Sequence, residues 1–487
     1  MGVRTKRWRL IKYSTAAQPA TDGAIPVGNA VNISRLRTGR LPMSEYWQRV
    51  RAFSPSLRRL MLAAVCMLSV WSGLMAVLYN LYLVRLGFDA RTIGLLGGLG
   101  ALVWGLAALP AGLLSNRIGL RNSLQLGGIL YGLGVALTLL VEQLPPTQWQ
   151  AWLIGSGVVM NIGIAFAMVN ATPYIMAVTG EYERPHAFAM MAALSPLAAF
   201  FGAVLAGVLP GLLARGLGLA LDQPDPYRLA MWVGPILCWL GMIPMLGADP
   251  GRVFHGAGER GDAEEVGAPV RAPLGLLAFW ALIVFLEAVG EGSVRMFFNV
   301  LMDTGLHVPT PTIGLVMGTA QLLPIGVALA LPLLLARWGT GYTLLRSILA
   351  LAACLCPFAL GAQMGTQANG WVGWAVGLIS VTYLALAATT TVLGTARDMF
   401  GQEIVVARWR TSSQGVAMLG LAFGLSAAGV VGGALIEAFG FGALYLTGAL
   451  AVLTAAGLLL GYLQRAARRR SGRAIDIRSA HPRTGSD

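Results

Sequence analysis

The sequence predicts an all-α polytopic membrane protein with twelve transmembrane helices in two pseudo-symmetric six-helix halves. Of its 487 residues, 56% are hydrophobic and only 11% are charged, whereas soluble domains carry about 25% charged residues. Apolar segments of about 20 residues, the length that spans a bilayer, recur along the whole chain. Short motifs also return at a nearly constant spacing. This composition excludes a soluble protein, because so much apolar surface exceeds what one core can bury.

Six apolar segments precede a polar stretch and six follow it. The first six are predicted near 60–83, 92–115, 122–142, 150–177, 187–213 and 227–247. The second six are predicted near 273–302, 312–336, 343–363, 371–394, 412–436 and 443–463. The expected domains are a disordered basic tail (1–56), a first half (57–248), a central loop (249–272), a second half (273–464) and a basic tail (465–487). Both Met1 and Met43 fit as the start.

The distribution of basic residues predicts the orientation. Of the 35 Lys and Arg residues, 30 fall in the two tails, the even-numbered loops and the central loop. Four fall on the opposite side: Arg85, Arg91, Arg215 and Arg228. Because Lys and Arg concentrate in cytoplasmic loops, we expect a multi-pass protein of the cell (inner) membrane with both termini in the cytoplasm. The net charge of +14 then indicates contact with lipid head groups and not with nucleic acid.

The two halves share motifs at a nearly constant offset. The sequence Thr-Ile-Gly-Leu at 92–95 returns at 312–315, a shift of 220 residues. Asn80 in the first predicted helix corresponds to Asn299 in the seventh, a shift of 219 residues. Repeats of this kind predict two halves related by a pseudo-two-fold axis along the membrane normal.

The loop between the second and third helices carries the most specific motif. It runs from Gly112 to Arg121 as Gly-Leu-Leu-Ser-Asn-Arg-Ile-Gly-Leu-Arg and includes Asn116, Arg117 and Gly119. It resembles the major facilitator superfamily pattern Gly-x-Leu-x-Asp-Arg-x-Gly-Arg-Arg/Lys, with Asn in place of Asp and Leu in place of the first Arg of the final pair. The resemblance covers about residues 57–464. It implies a monomeric transporter in which this loop gates the cytoplasmic ends of the two halves.

The seventh predicted helix carries three charged residues at intervals of four, Glu287, Glu291 and Arg295. Each costs about 2.5–3.5 kcal/mol in a bilayer, so such residues indicate function. Glu291 and Arg295 are spaced to pair within the helix, which leaves Glu287 without a partner there. We predict both glutamates as proton-coupling candidates and Arg295 as a charge partner or substrate contact. Alternatively, Arg295 extends to the outer head groups, or the glutamates are structural partners of other helices.

Further side chains are candidates for lining a central cavity. Each is alternatively an ordinary contact between helices, such as a hydrogen bond. They are Trp71, Tyr79, Asn80, Asn161, Asn170, Phe298, Asn299, Gln321 and Tyr383. The glycine patterns Gly420-x-x-x-Gly424 and Gly429-x-x-Gly432-Gly433 are typical of close helix packing.

These features predict a secondary active transporter that moves a small organic solute by alternating access, coupled to protons. The partners are the lipid bilayer, the solute and protons. No cofactor, metal site or enzymatic activity is expected, because the four cysteines lie in apolar segments, the four histidines are dispersed and no nucleotide-binding motif is present. Two alternatives remain open: a sensor or scaffold that kept the fold, and an uncoupled transporter of lipids or lipophiles. The solute, the direction of transport and the coupling ion also remain open.

Overall fold

The computed structural model describes residues 53–180, 183–249, 273–366 and 372–479. Throughout these residues the chain forms helices joined by short turns, with no β-strand. The predicted N-terminal tail up to residue 52, the central loop from 250 to 272 and the last residues, 480–487, lie outside the described part of the chain.

Twelve helices form the two halves. The first half contains α1 (Pro55–Arg85), α2 (Ala90–Ile118), α3 (Leu120–Leu139), α4 (Pro146–Val178), α5 (Arg184–Leu217) and α6 (Asp225–Gly247). The second half contains α7 (Leu274–Gly305), α8 (Thr310–Trp338), α9 (Thr340–Thr366), α10 (Val372–Glu403), α11 (410–439) and α12 (441–479). Only Gly440, at φ +80°, separates α11 from α12. Each of the first ten helices, and the joined α11–α12 segment, is long and apolar enough to cross a membrane, which confirms the predicted fold class.

Two helices extend much further beyond their predicted ends than the others do. Helix α10 continues to Glu403 rather than ending near 394, and α12 continues to Ser479, within the segment predicted as a basic tail without structure. Hydropathy placed these ends too early because charged residues follow the apolar segments. Backbone hydrogen bonds continue a helix regardless of side-chain polarity, so the charged residue Arg397 lies inside α10.

Helices α1 and α5 pack at a distance that only glycine permits. A Cβ atom on Gly202 of α5 would lie 2.0 Å from the carbonyl oxygen of Ser69 on α1. A Cβ atom on Gly73 would lie 2.6 Å from the Cα of Gly202. In the second half, a Cβ atom on Gly292 of α7 would lie 2.7 Å from the Cβ of Ala428 on α11. The same pair of helices is therefore in close contact in each repeat.

We expect the substitution Gly202→Ala to lower the free energy of unfolding by about 1–3 kcal/mol, the usual effect of overpacking a tight contact. The clash is with backbone, which cannot rotate away as a side chain can. The matched control is Gly211→Ala on the same helix, where an added Cβ has no neighbour within 4 Å. Thermal unfolding in detergent measures both variants, and equal stability of the two would contradict the expectation.

The two halves contact each other through two symmetry-related helix pairs, α2 with α11 and α5 with α8. A Cβ atom on Gly94 of α2 would lie 2.2 Å from the carbonyl oxygen of Gly429 on α11. On the other side, a Cβ atom on Gly314 of α8 would lie 2.6 Å from the carbonyl oxygen of Ala203 on α5. The close packing predicted from the glycines of α11 is thus confirmed.

These contacts lie at one end of the helices, near the start of α2 and α8. Towards the other end the same helices diverge. A Cβ atom on Gly112 of α2 would meet only Val169 of its own half, and one on Gly326 of α8 would meet nothing within 4 Å. We call the first end, where α1 and α7 finish, the sealed end, and the second the open end. Because the helix count is even, α1 begins and α12 finishes at the open end.

Candidate functional site

The centre of the site is an ion pair between α7 and α10. Glu287 is fully buried, and its Oε1 accepts a hydrogen bond from Nη1 of Arg397 at 3.1 Å. Its second oxygen, Oε2, is also buried and has no hydrogen-bond partner among the described residues. Arg397 retains 14% exposure of its side chain. Glu287 lies about 20 Å along α7 from its first residue at 1.5 Å per residue, near the middle of the helix.

This pair corrects the sequence-based prediction. The sequence assigned Arg397 to a cytoplasmic loop and left Glu287 without a partner in its own helix. The partner comes from another helix, as the structural alternative for the glutamates had allowed. The signal was present in the sequence as an Arg-Asp dipeptide directly after an apolar segment, but the early end assigned to α10 placed it outside the membrane.

One turn further along α7, Glu291 and Arg295 form a looser pair. Nη1 of Arg295 lies 3.8 Å from Oε1 of Glu291, and the two side chains are 58% and 19% exposed, respectively. The predicted pairing within the helix is therefore present, but at a distance beyond a normal hydrogen bond. Both groups are available to other partners.

The charged side chains Glu287, Glu291 and Arg295 form a polar stripe on α7. Towards the sealed end, this stripe is followed by a pair of stacked aromatic residues. The rings of Phe298 on α7 and Tyr383 on α10 stack with centroids 3.8 Å apart and planes at 19°. Phe358 of α9 packs edge-on against Phe298. Contacts with α10 therefore lie at two points along α7, Arg397 beside Glu287 and Tyr383 beside Phe298.

Several predicted cavity residues take part in helix contacts instead. Asn170 is buried and donates to the carbonyl oxygen of Phe166 in its own helix, so in this structure it lines no open space. Phe298 and Asn299 are buried as well. Asn161 is partly exposed and donates to the carbonyl oxygen of Gly157. Asn161 and Asn170 thus bond to carbonyl oxygens of their own helix.

Three other candidates lie where the halves meet or beside that contact. Gln321 of α8 reaches across to α1, with Nε2 at 3.4 Å from the carbonyl oxygen of Ser72. Trp71 and Tyr79 on α1 are partly buried and pack against the core. These side chains stay predictions as solute contacts.

Asn80 and Asn299 bond directly to one another across the halves. Nδ2 of Asn80 donates to Oδ1 of Asn299 at 3.1 Å and to the carbonyl oxygen of Met296 at 2.7 Å. Nδ2 of Asn299 donates to the carbonyl oxygens of Ala76 and Val77. The two asparagines occupy equivalent positions of the repeat, so their contact lies on the pseudo-two-fold axis, as in an isologous interface.

A bidentate ion pair lies closer to the sealed end than the contact between Asn80 and Asn299. Nη1 and Nη2 of Arg85, at the end of α1, each lie 2.7 Å from one carboxylate oxygen of Asp303, at the end of α7. Asp303 is 8% exposed. The guanidinium also lies over the ring of Tyr227, whose hydroxyl is 3.3 Å from that of Thr310. Arg85 and Asp303 are 218 positions apart, again close to the repeat offset, but no sequence motif predicted them as a pair.

A second ion-pair group supports the first half at the same end. Glu142, after α3, accepts a hydrogen bond from the hydroxyl of Tyr82 on α1 at 2.8 Å and from Arg228 on α6 at 2.7 Å. Tyr82 and Arg228 are close neighbours in sequence of Arg85 and Tyr227. This network therefore holds the ends of α1 and α6 together, where Arg85 contacts both Tyr227 and Asp303.

The predicted gating loop lies at the open end and contacts its own half. Arg121 donates to the carbonyl oxygen of Ala248 at 2.9 Å, and Gly119 has the positive φ of +86° that its tight turn requires. Asn116 and Arg117 are exposed, and their side chains form no hydrogen bond or ion pair with other described residues. Among the residues that the structure describes, the side chains of Asn116 and Arg117 therefore make no bond to the second half, and the gating role stays a prediction.

Comparison with known proteins agrees with this fold. A family model described as the Major Facilitator Superfamily matches residues 60–407. The solved structure of the nucleoside transporter NupG is 14% identical, with a TM-score of 0.62, and covers 83% of this chain and 98% of its own. A D-xylose-proton symporter has a TM-score of 0.64 at 14% identity, over 85% of this chain and 97% of its own. The xylose transporter XylE from E. coli has a TM-score of 0.58 at 16% identity, over 83% and 94%.

No curated protein sequence matches the chain. At such low identities the structural likeness establishes the fold and not the solute. The family match covers most of the chain and includes nearly all of α1 to α10, the predicted gating loop and the ion pairs of Glu287 with Arg397 and of Arg85 with Asp303. The chain therefore belongs to the Major Facilitator Superfamily of membrane transporters.

Proposed function

We propose that the protein is a proton-coupled secondary transporter of a small organic solute, with Glu287 as the coupling carboxylate. The proposal rests on one observation: only one of the two carboxylate oxygens of the buried Glu287 accepts a hydrogen bond from the residues that the structure describes. Arg397 binds one oxygen and leaves the other without a hydrogen bond. A buried carboxylate with an unpaired oxygen readily accepts a proton, because protonation removes the buried charge.

Protonation would also change the state of Arg397. A neutral Glu287 holds the guanidinium less strongly, so Arg397 becomes free to bind an anionic group or water from the open end. Deprotonation restores the pair. Coupling follows if the solute and the proton each favour one of these two arrangements, since a ligand shifts an equilibrium only by its differential affinity for the two states.

The same proposal includes the orientation of the protein. The Lys and Arg distribution favours both termini in the cytoplasm of a cell with the protein in its inner membrane. The open end would then face the cytoplasm, and the ion pair of Arg85 with Asp303 would close the outer side. Solved relatives named as nucleoside and xylose transporters support a small organic solute.

The experiment is infrared difference spectroscopy of the purified protein while the pH of the buffer is changed. Titration of a buried carboxyl group changes a carboxylic C=O stretching band. We expect such a band in the wild-type protein and its loss in Glu287→Gln. The matched variant Glu291→Gln removes the nearby, partly exposed carboxylate of the same helix and should keep the band.

A titrating band that survives in Glu287→Gln would refute Glu287 as the coupling group. Proton release into weakly buffered detergent on addition of solutes then tests the coupling itself. A solute that binds without proton release in any variant would favour the uncoupled alternative. A sensor or scaffold would show neither solute uptake nor solute-linked proton release in proteoliposomes.

A further inference from the structure

The pair of Glu291 and Arg295 is looser and more exposed than the pairs that Arg85 and Arg397 form with Asp303 and Glu287. Arg85 and Arg397 approach their carboxylates within 2.7 and 3.1 Å, and their side chains are 19% and 14% exposed, respectively. Arg295 stays 3.8 Å from Glu291 and is 58% exposed. Neither Glu291 nor Arg295 makes another hydrogen bond or ion pair with the part of the chain that the structure describes. A carboxylate and a guanidinium thus remain side by side with most of their hydrogen-bonding capacity free.

Arg295 points towards the space between the halves. Two neighbours on α7 mark directions around the helix: Phe298 faces Tyr383 of α10, and Asn299 faces Asn80 of α1. At about 100° per residue, Arg295 lies about 60° from Phe298 and about 40° from Asn299, and so between them. The guanidinium is therefore on the side of α7 that lies between its own half and the opposite half, not on the side packed against α12 through Gly290.

The first half offers no charge opposite this pair. The helices α1, α2, α4 and α5 carry no Asp, Glu, Lys or Arg over 61–84, 92–116, 149–178 and 187–214. On the second half, Glu291 and Arg295 together sum to zero formal charge, while Glu287 and Asp398 lie beside Arg397, which belongs to the proposed coupling site. A solute with a net charge would leave one charge of this site unbalanced in a region of low dielectric, which is costly. A solute with one positive and one negative group would not.

We propose that Glu291 and Arg295 form the subsite for a zwitterionic solute. Its ammonium group pairs with Glu291, its carboxylate pairs with Arg295, and its uncharged part contacts the first half. The fork of an arginine guanidinium suits bidentate binding of a carboxylate, and the adjacent glutamate receives the cation a few ångströms away. This inference deepens the proposed transport function and rests on it, but it concerns different residues from the coupling group.

The test measures ligand-induced thermal stabilisation of the purified full chain. The probes are the standard amino acids and a set of dipeptides, each zwitterionic. For every zwitterion that stabilises the protein, the carboxylate is blocked as the methyl ester and the ammonium as the N-acetyl derivative. We expect at least one zwitterion to bind and each blocked analogue to bind at least about tenfold more weakly, a difference of about 1.4 kcal/mol.

Two variants test which residue binds the carboxylate of the solute and which binds its ammonium group. Arg295→Gln should remove the discrimination against the methyl ester and keep that against the N-acetyl form. Glu291→Gln should remove the discrimination against the N-acetyl form and keep that against the methyl ester. The control is Glu437→Gln, which alters an exposed carboxylate on α11 and should change neither. Equal binding of blocked and zwitterionic forms, or no stabilisation by any zwitterion, would overturn the proposal. Failure of proton coupling would appear only in the Glu287 experiments. The results can therefore refute either proposal without refuting the other.

Discussion

Replacing Arg397 with glutamine is expected to lower the free energy of unfolding by about 3 kcal/mol at neutral pH, the typical effect of removing one partner of a buried ion pair. The variant leaves the Glu287 carboxylate without its hydrogen-bonded cation in a fully buried position. Protonation neutralises that carboxylate, so the loss should shrink as the pH falls from about 8 to about 5. The expected sign is therefore a relative gain of stability in acid.

Thermal unfolding in detergent at several pH values measures this effect. The double variant Arg397→Gln/Glu287→Gln carries no buried charge and should recover most of the lost stability, without the pH dependence. Arg215→Gln serves as the control because Arg215 is exposed at the end of α5 and forms no ion pair with other described residues. A single variant as stable as this control at neutral pH would show that the pair contributes nothing to the fold.

The second large effect is expected at the sealed end. Asp303→Asn should shift the protein towards a conformation in which this end is open, because Arg85 loses the opposite charge and one of its two 2.7 Å contacts with the second half. Truncating one partner of a buried charged pair at an interface costs about 2–5 kcal/mol. A weakening of about 3 kcal/mol changes the ratio of the two conformations about 100-fold.

Spin labels on cysteines introduced at Gln223 and Thr312, exposed positions of the two halves at this end, report the separation. The four native cysteines are replaced first. We expect longer distances in Asp303→Asn than in the wild type. Asp222→Asn, which changes an exposed carboxylate at the same end, is the control. The exchange Arg85→Asp/Asp303→Arg should restore the short distances, and unchanged distances in Asp303→Asn would refute a sealing role for the pair.

The two effects concern opposite stages of transport. The pair of Glu287 with Arg397 lies within one half and, in the proposed mechanism, responds to protons and solute. The pair of Arg85 with Asp303 joins the halves and is placed to hold one end closed. Alternating access requires such a contact to break as the other end closes. The exposed state of Asn116 and Arg117 in the gating loop fits the complementary situation at the open end.

Much of this molecule was predictable from its sequence because bilayer physics constrains it strongly. A spanning helix needs about 20 apolar residues, so hydropathy alone located twelve helices. The repeat offset linked Asn80 to Asn299, and the scarcity of charge within the helices directed attention to Glu287, Glu291 and Arg295. Close glycine packing on α11 also followed from sequence spacing, since small residues permit helix approach.

What the sequence by itself determined is therefore the fold class, the number of helices, the repeat and the stripe of charges on α7. Only the tertiary structure decided the partners: Arg397 for Glu287, Asp303 for Arg85, and the burial of Asn170 and Phe298 that were expected to line a cavity. The physical reason is how far apart in the sequence the interacting residues lie. Hydropathy and helical periodicity act between residues close in sequence, whereas these pairs join residues 110 and 218 positions apart. Their contact depends on how whole helices pack against each other.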